Sequence, residues 1–118
     1  MSLKIRQGDV YLVDFGESYN SEFGKTRPAV IIQNDFLNAI LPISRYKSVL
    51  VIPFSTKEIE SEYRVKIKKR DKLQKDSYII VNWICTLDLQ RVQIDKGLIT
   101  RLTEDELQEL KEKICRLL

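Results

Sequence analysis

Apolar residues fall at helical spacing near the end of the chain, at Leu107, Leu110, Ile114 and Leu117, and this change of period constrains the fold more than any other feature. Thr103 is a good N-cap, Glu106 completes a capping box with it, and Leu102 can staple against Leu107. Ahead of this helix lie short apolar runs bounded by turn residues. Asp9 to Phe15 is apolar on both faces, as in a strand buried within a curled sheet, and Gly16 ends it. Ala29 to Ile32, between Pro28 and Asn34, reads as a second strand. Asn34 and Asp35 can then cap a short helical turn through Phe36, Leu37 and Ala39, closed by Pro42. Ser48 to Phe54 is a third strand. Tyr63 to Ile67 alternates, with Tyr63, Val65 and Ile67 on one face and Arg64, Lys66 and Lys68 on the other. Ser77 to Trp83 is a fifth strand, and Val92 to Leu102 adds one or two more around Gly97. Short strands that close on themselves, then one amphipathic helix, predict a mainly β fold: a small barrel with a C-terminal helix. No repeat or linker divides residues 1–118, so a single domain is expected.

The chemistry must come from few residue types. There is no histidine, which removes the usual general base and the commonest metal ligand. Cys85 and Cys115 stand thirty residues apart without metal-ligand neighbours, and reduced core cysteines are expected. Met1 to Gly8 holds no apolar run and no stretch reaches transmembrane length, so a cytoplasmic protein without signal peptide or membrane span is expected. The net charge is only +3, so attraction to nucleic acid must come from local clustering.

Two clusters qualify. From Asn20 the chain is polar and holds Gly24, then switches at Arg27 and Pro28 to the apolar run. Pro28 restricts Arg27 to extended angles, so the guanidinium leaves the sheet at a fixed place. An anion site and a sheet-edge cap paired with Glu22 both fit that position. From Arg64 to Lys75, seven basic residues (Arg64, Lys66, Lys68, Lys69, Arg70, Lys72, Lys75) face one acid, Asp71. That run suits a phosphate backbone, or equally an edge strand guarded by lysines against pairing with another sheet. Trp83 suits either base stacking or the core. Ser55 and Thr56 can donate to a phosphate oxygen or satisfy a strand end.

Taken together these residues resemble the MazF/PemK family, the toxin endoribonucleases of bacterial toxin–antitoxin systems. The resemblance is carried by Ser21-Glu22 and Thr26-Arg27-Pro28-Ala29-Val30-Ile31-Ile32-Gln33-Asn34-Asp35. It continues through Val51-Ile52-Pro53-Phe54-Ser55-Thr56, Asp76 to Val81, Thr86-Leu87-Asp88 with Arg91, and Leu102-Thr103. Asn20 and Phe23 flank the Ser-Glu pair where many members carry Gly and Gln, and Trp83 stands where some carry Gln; both departures bear on cleavage-site preference.

The resemblance implies an SH3-like barrel with a C-terminal helix, the fold shared with CcdB, assembled as a homodimer. It implies Arg27 and Ser55 as the catalytic pair, with Glu22 in the functional loop as the carboxylate available as a base. Ser21, Lys25, Thr26, Thr56, Lys66, Lys68, Lys69, Trp83 and Thr86 are the residues expected to contact single-stranded RNA. RNA supplies its own nucleophile, the 2′-hydroxyl, so no cofactor or metal is expected; the products would be a 2′,3′-cyclic phosphate and a 5′-hydroxyl. An antitoxin with a disordered acidic-and-apolar tail is the implied partner, and their complex is expected to bind DNA. Two rival readings are a gyrase-poisoning toxin of the CcdB kind and an inactive barrel that only binds RNA or an antitoxin. The ending Cys115-Arg116-Leu117-Leu118, without a Trp nearby, speaks against the first.

Overall fold

The structure is a computed structural model that describes residues 4–17, 25–58 and 61–118. Its organising strand is β3 (Ser48–Ser55), apolar on both faces because both faces are covered. One edge pairs with β2 (Thr26–Ile31), which pairs with β1 (Asp9–Asp14) and then β7 (Thr100–Arg101). The other edge changes partner along its length. Ser48 to Val51 pair with β6 (Cys85–Asp88), whereas Phe54 and Ser55 pair with β5 (Ser77–Ile80), which carries β4 (Arg64–Ile67). All pairs are antiparallel and the sheet curls into a half-barrel. Two prolines sit at the limit of the β2–β3 ladder, where a missing N–H costs least, although Pro28 stays paired with Leu12 of β1. Pro28 immediately precedes the β2 residues that pair with β3, and Pro53 is the last β3 residue that pairs with β2.

Two apolar clusters fill the two faces. One joins Val10, Val30, Ile52, Phe54, Val65 and Ile79 under α2 (Glu104–Arg116). The other joins Tyr11, Val13, Ala29, Ile31, Val49 and Val51. α2 has the predicted capping box: the Thr103 Oγ accepts from the Glu106 N–H at 3.2 Å, and Glu106 Oε1 accepts from the Thr103 N–H at 2.8 Å. Leu110 is fully buried, with Leu107, Ile114 and Leu117 packed beside it. The short α1 (Asp35–Ile40) starts as expected, with Asn34 Oδ1 accepting from the Leu37 N–H at 2.9 Å.

Sequence and structure differ where the chain crosses β3. The fifth strand stops at Ile80, and Val81–Trp83 forms a 3-10 turn rather than more strand. That turn lets the chain leave the far half of β3 and return to the near half as β6, a strand the periodicity did not reveal. Between Val92 and Leu102 only Thr100–Arg101 is strand, behind the 3-10 turn Ile94–Lys96. Cys85 is half-buried, and its burial pushes the thiol pKa up, but Cys115 is exposed on α2 rather than in the core; both are free thiols. Among the described residues, no helix is long and apolar enough to cross a membrane.

The basic run divides in two. Arg70 is not a free cation: its guanidinium makes a two-pronged pair with Glu106, at 2.7 Å for each prong. It also donates to Thr100 Oγ1 at 3.2 Å and to the Arg101 carbonyl at 2.6 Å. Arg70 therefore ties the turn after β4 to the start of α2. Burial alone would raise the Glu106 pKa, but hydrogen bonds from Arg70 and Thr103, with the Arg70 charge, together hold it below its usual value. A carboxyl depressed in this way stabilises the fold above its unfolded pKa of about 4.3, and that contribution is lost as pH falls through the folded value. Glu106→Gln is thus expected to cost about 2 kcal/mol at pH 7. In denaturant titrations the gap to wild type should close below about pH 4; a gap independent of pH would contradict the pairing.

Candidate active site

The hairpin between β1 and β2 is closed at its base by two backbone bonds, Phe15 N–H to the Lys25 carbonyl at 2.9 Å and Lys25 N–H to the Gly16 carbonyl at 2.6 Å. Lys25 adopts a left-handed backbone (φ 71°), a conformation uncommon for a side-chain-bearing residue and typical of positions held by their surroundings. The turn aims the chain directly into Thr26 and Arg27. Ser21 and Glu22, the expected loop contacts, lie outside the described residues.

Arg27 lies within β2, opposite Val13, rather than ahead of the strand. By strand alternation it shares a face with Ala29 and Ile31. The guanidinium reaches across β3: Nη1 donates to the Phe54 carbonyl at 3.3 Å, and Cζ stands 5.7 Å from the centre of the Trp83 ring. Half-burial pushes its pKa down from the ordinary value, but a guanidinium remains charged at any working pH. Trp83 thus neither stands apart from the site nor belongs simply to the core. It is half-buried in the turn after β5, its ring against the arginine.

Ser55 ends β3, paired with Tyr78 of β5. The β2–β3 ladder ends with Ala29 opposite Pro53, and Arg27 and Ser55 lie two residues beyond that pair on their own strands, bordering the same cavity. The Ser55 Oγ accepts from the Lys57 N–H at 3.2 Å, which leaves its own O–H to donate. A planar cation and a hydroxyl donor therefore share the ends of two neighbouring strands. That pairing suits two oxygens of one phosphate.

A cavity of about 580 Å³ opens at the same strand ends. Lys25, Thr26 and Thr56 border it together with Arg27 and Ser55, so the fold gathers five of the expected residues in one place. Lys66, Lys68 and Lys69 are exposed on β4 and just beyond it and do not border the cavity. Thr86 lies on β6 opposite Leu50, and alternation turns it away from Cys85 and Leu87. Lys57, Gln74 and Lys96 also line the cavity and went unnoticed in sequence. Lys72 and Lys75 belonged to the basic run, but for Lys96 no local signal existed, since only the fold brings it near.

A sequence profile of the PemK-like, MazF-like toxins of type II toxin–antitoxin systems matches residues 6–118. Among solved structures, the chain is similar to a crystal structure of MazF from Deinococcus radiodurans, with a TM-score of 0.77 at 15% identity, covering 96% of this chain and 94% of that one. A mycobacterial endoribonuclease in complex with its cognate antitoxin aligns with a TM-score of 0.72 at 18% identity, over 96% and 93% of the two chains. Mycobacterium tuberculosis toxin MazF-mt6 aligns with a TM-score of 0.70 at 17% identity, over 92% and 93%.

Proposed function

Because the chain belongs to the PemK-like, MazF-like toxins of type II toxin–antitoxin systems, we propose that it is an endoribonuclease that cuts single-stranded RNA at Arg27 and Ser55. The 2′-hydroxyl loses its proton and attacks the adjacent phosphorus; the P–O5′ bond breaks and the leaving oxygen takes up a proton. A 2′,3′-cyclic phosphate and a 5′-hydroxyl result, and no metal or cofactor takes part. Arg27 stabilises the charge that grows on the phosphorane by paired hydrogen bonds, and Ser55 donates to a second oxygen. Arg27 is a poor base because its pKa lies above about 12. If a base removes the 2′ proton, Glu22 is the carboxylate of the motif.

The observation that supports this reading is that Arg27 and Ser55 border one cavity, with Lys25, Lys57, Lys72, Lys75 and Lys96 around it. Single-stranded RNA of mixed sequence should be cut at a few preferred sites, and the same sequence in a duplex should resist, since A-form geometry opposes in-line attack. Equal cutting of both would contradict it.

Trp83 enters as a positioning residue. Its ring faces a guanidinium that must be still when the phosphorane forms. Trp83→Leu is expected to lower kcat about tenfold with little change in KM, and Trp83→Phe to recover most of it, because a ring face is restored. An equal loss in both variants would assign Trp83 to packing instead.

The same reading includes growth inhibition through mRNA cleavage in the cytoplasm, a homodimer, and neutralisation by an antitoxin whose acidic tail covers the site, the complex also binding DNA. Such pairing is steered by charge, so association should slow as salt rises. A homodimer would bury apolar surface, and Phe36, Ile43 and Tyr46 stand exposed around α1 and the turn that follows it.

A further inference from the structure

We propose that Arg91 is a positioning residue for the reaction: it holds the last edge carbonyl of β1 and so fixes the base of the hairpin that delivers Arg27. The inference rests on the ribonuclease reading and adds to it a residue that touches neither the substrate nor the reacting atoms.

A row of backbone acceptors leads to it. Along β1 and the glycine before it, every second carbonyl faces away from β2. Three of these accept from backbone N–H groups: Gly8 from Leu102 at 2.9 Å, Val10 from Ile99 at 2.8 Å and Leu12 from Gln93 at 2.9 Å. The fourth, at Asp14, accepts instead from Arg91 Nη1 at 3.2 Å. A guanidinium thus continues an edge on which β7 pairs with Asp9 and Val10 alone.

The chain on both sides of the contact builds it. Val92, next to Arg91, is buried and bridges Val13. Leu89–Arg91 is a 3-10 turn whose N-cap, Asp88, accepts from the Gln90 N–H at 2.8 Å. Opposite, Gly16 has a left-handed φ of +75°, and a Cβ there would stand 3.5 Å from Arg91 Nη1, so the guanidinium lies over bare backbone. The Asp14 carboxylate accepts from the Gly16 N–H at 2.8 Å, while Arg91 holds the main chain.

The consequence runs straight to the site. Asp14 pairs with Thr26, and Val13 with Arg27. Beyond them the hairpin is held by the bonds that join Phe15 and Gly16 to Lys25. Releasing the Asp14 carbonyl loosens the outer side of the rungs that place Arg27, and misplaced groups cost rate even when the misplacement begins elsewhere. Arg91 is exposed, so a direct hold on RNA phosphate is the competing use of its charge. The two uses respond differently to lysine: one donor to one carbonyl is replaced by an ammonium, a two-pronged hold on phosphate is not.

The test compares Arg91→Ala with Arg91→Lys, with folding checked by thermal melting. Arg91→Ala should lower kcat about tenfold with KM little changed, the loss of one charge-assisted hydrogen bond that acts through orientation. Arg91→Lys should stay within about threefold of wild type, in contrast to Arg27→Lys. In the Arg27→Lys background, Arg91→Ala should cost less than about threefold more, because the group it places is already gone. Trp83 is the sole tryptophan and its ring stands against Arg27, so its emission reports that placement without catalysis. Its quenching by acrylamide should rise in Arg91→Ala and return to the wild-type level in Arg91→Lys. An alanine variant with wild-type kcat, or one whose loss is additive and whose quenching is unaltered, would overturn the proposal. So would a lysine variant as slow as alanine, or an alanine variant whose salt slope for RNA binding falls by about 0.7, which would make Arg91 a phosphate contact. Wild-type protein that leaves RNA intact would overturn the ribonuclease reading and with it any role in the reaction, whereas unaltered quenching in Arg91→Ala beside a cutting wild type would overturn the positioning alone.

Discussion

Arg27→Lys should fold like wild type and cleave RNA about a hundred- to a thousandfold more slowly. The charge is retained, so the loss would isolate what the planar fork contributes. A guanidinium gives two parallel N–H donors to a phosphate, whereas an ammonium is a point charge on a flexible stem. It would also lose part of its hold, because Arg27 is seated by the Phe54 carbonyl and by the Trp83 ring. Removing one preorganised donor of this kind typically costs about 3 kcal/mol in the transition state. Ser55→Ala should be milder, about tenfold, having lost one neutral donor. Single-turnover rates at saturating protein, with melting curves on the same samples, separate chemistry from folding. A lysine variant near the wild-type rate would move catalysis away from Arg27.

Leu110→Ala should be the most damaging change outside the site. Leu110 is fully buried and joins α2 to the cluster of Val10, Val30, Ile52 and Phe54. Truncating a buried leucine costs about 3 kcal/mol, part transfer and part cavity. For a domain of this size that is a large share of a total of about 5–15 kcal/mol, and Tm should fall by about 10 °C or more. The exposed Glu112→Ala serves as the control and should change little. Equal melting of the two variants would mean that α2 is not held by this packing.

The capping box and helical period of α2 were legible in sequence because both are local; Thr103 and Glu106 lie one turn apart and satisfy each other. β1 and β3 were legible because burial on both faces leaves an unbroken apolar run. β6 was hidden because its outward residues, Thr86 and Asp88, are exposed and the run is only four residues long. The turn at Val81–Trp83 was hidden for a related reason: an apolar sequence that leaves one half of β3 for the other looks like continued strand.

At the site, the residues around Arg27 and Ser55 left their roles open, and only the family resemblance joined them as a pair; that both border one cavity is fixed by the fold. The basic run was legible as charge and not as direction. Arg70 is committed to Glu106, Lys72 and Lys75 turn to the cavity, and Lys66 and its neighbours point elsewhere. Composition cannot make that division. Lys96 reaches the cavity through the fold alone.

The most direct measurement is the chemistry of the ends left on a long single-stranded RNA incubated with the protein in EDTA. Cutting should persist. The new 5′ ends should accept a labelled phosphate from polynucleotide kinase without prior phosphatase treatment, and Arg27→Ala should yield almost none. Ends that already carry a 5′-phosphate, or cutting that EDTA abolishes and a divalent ion restores, would contradict attack by the 2′-hydroxyl at Arg27 and Ser55.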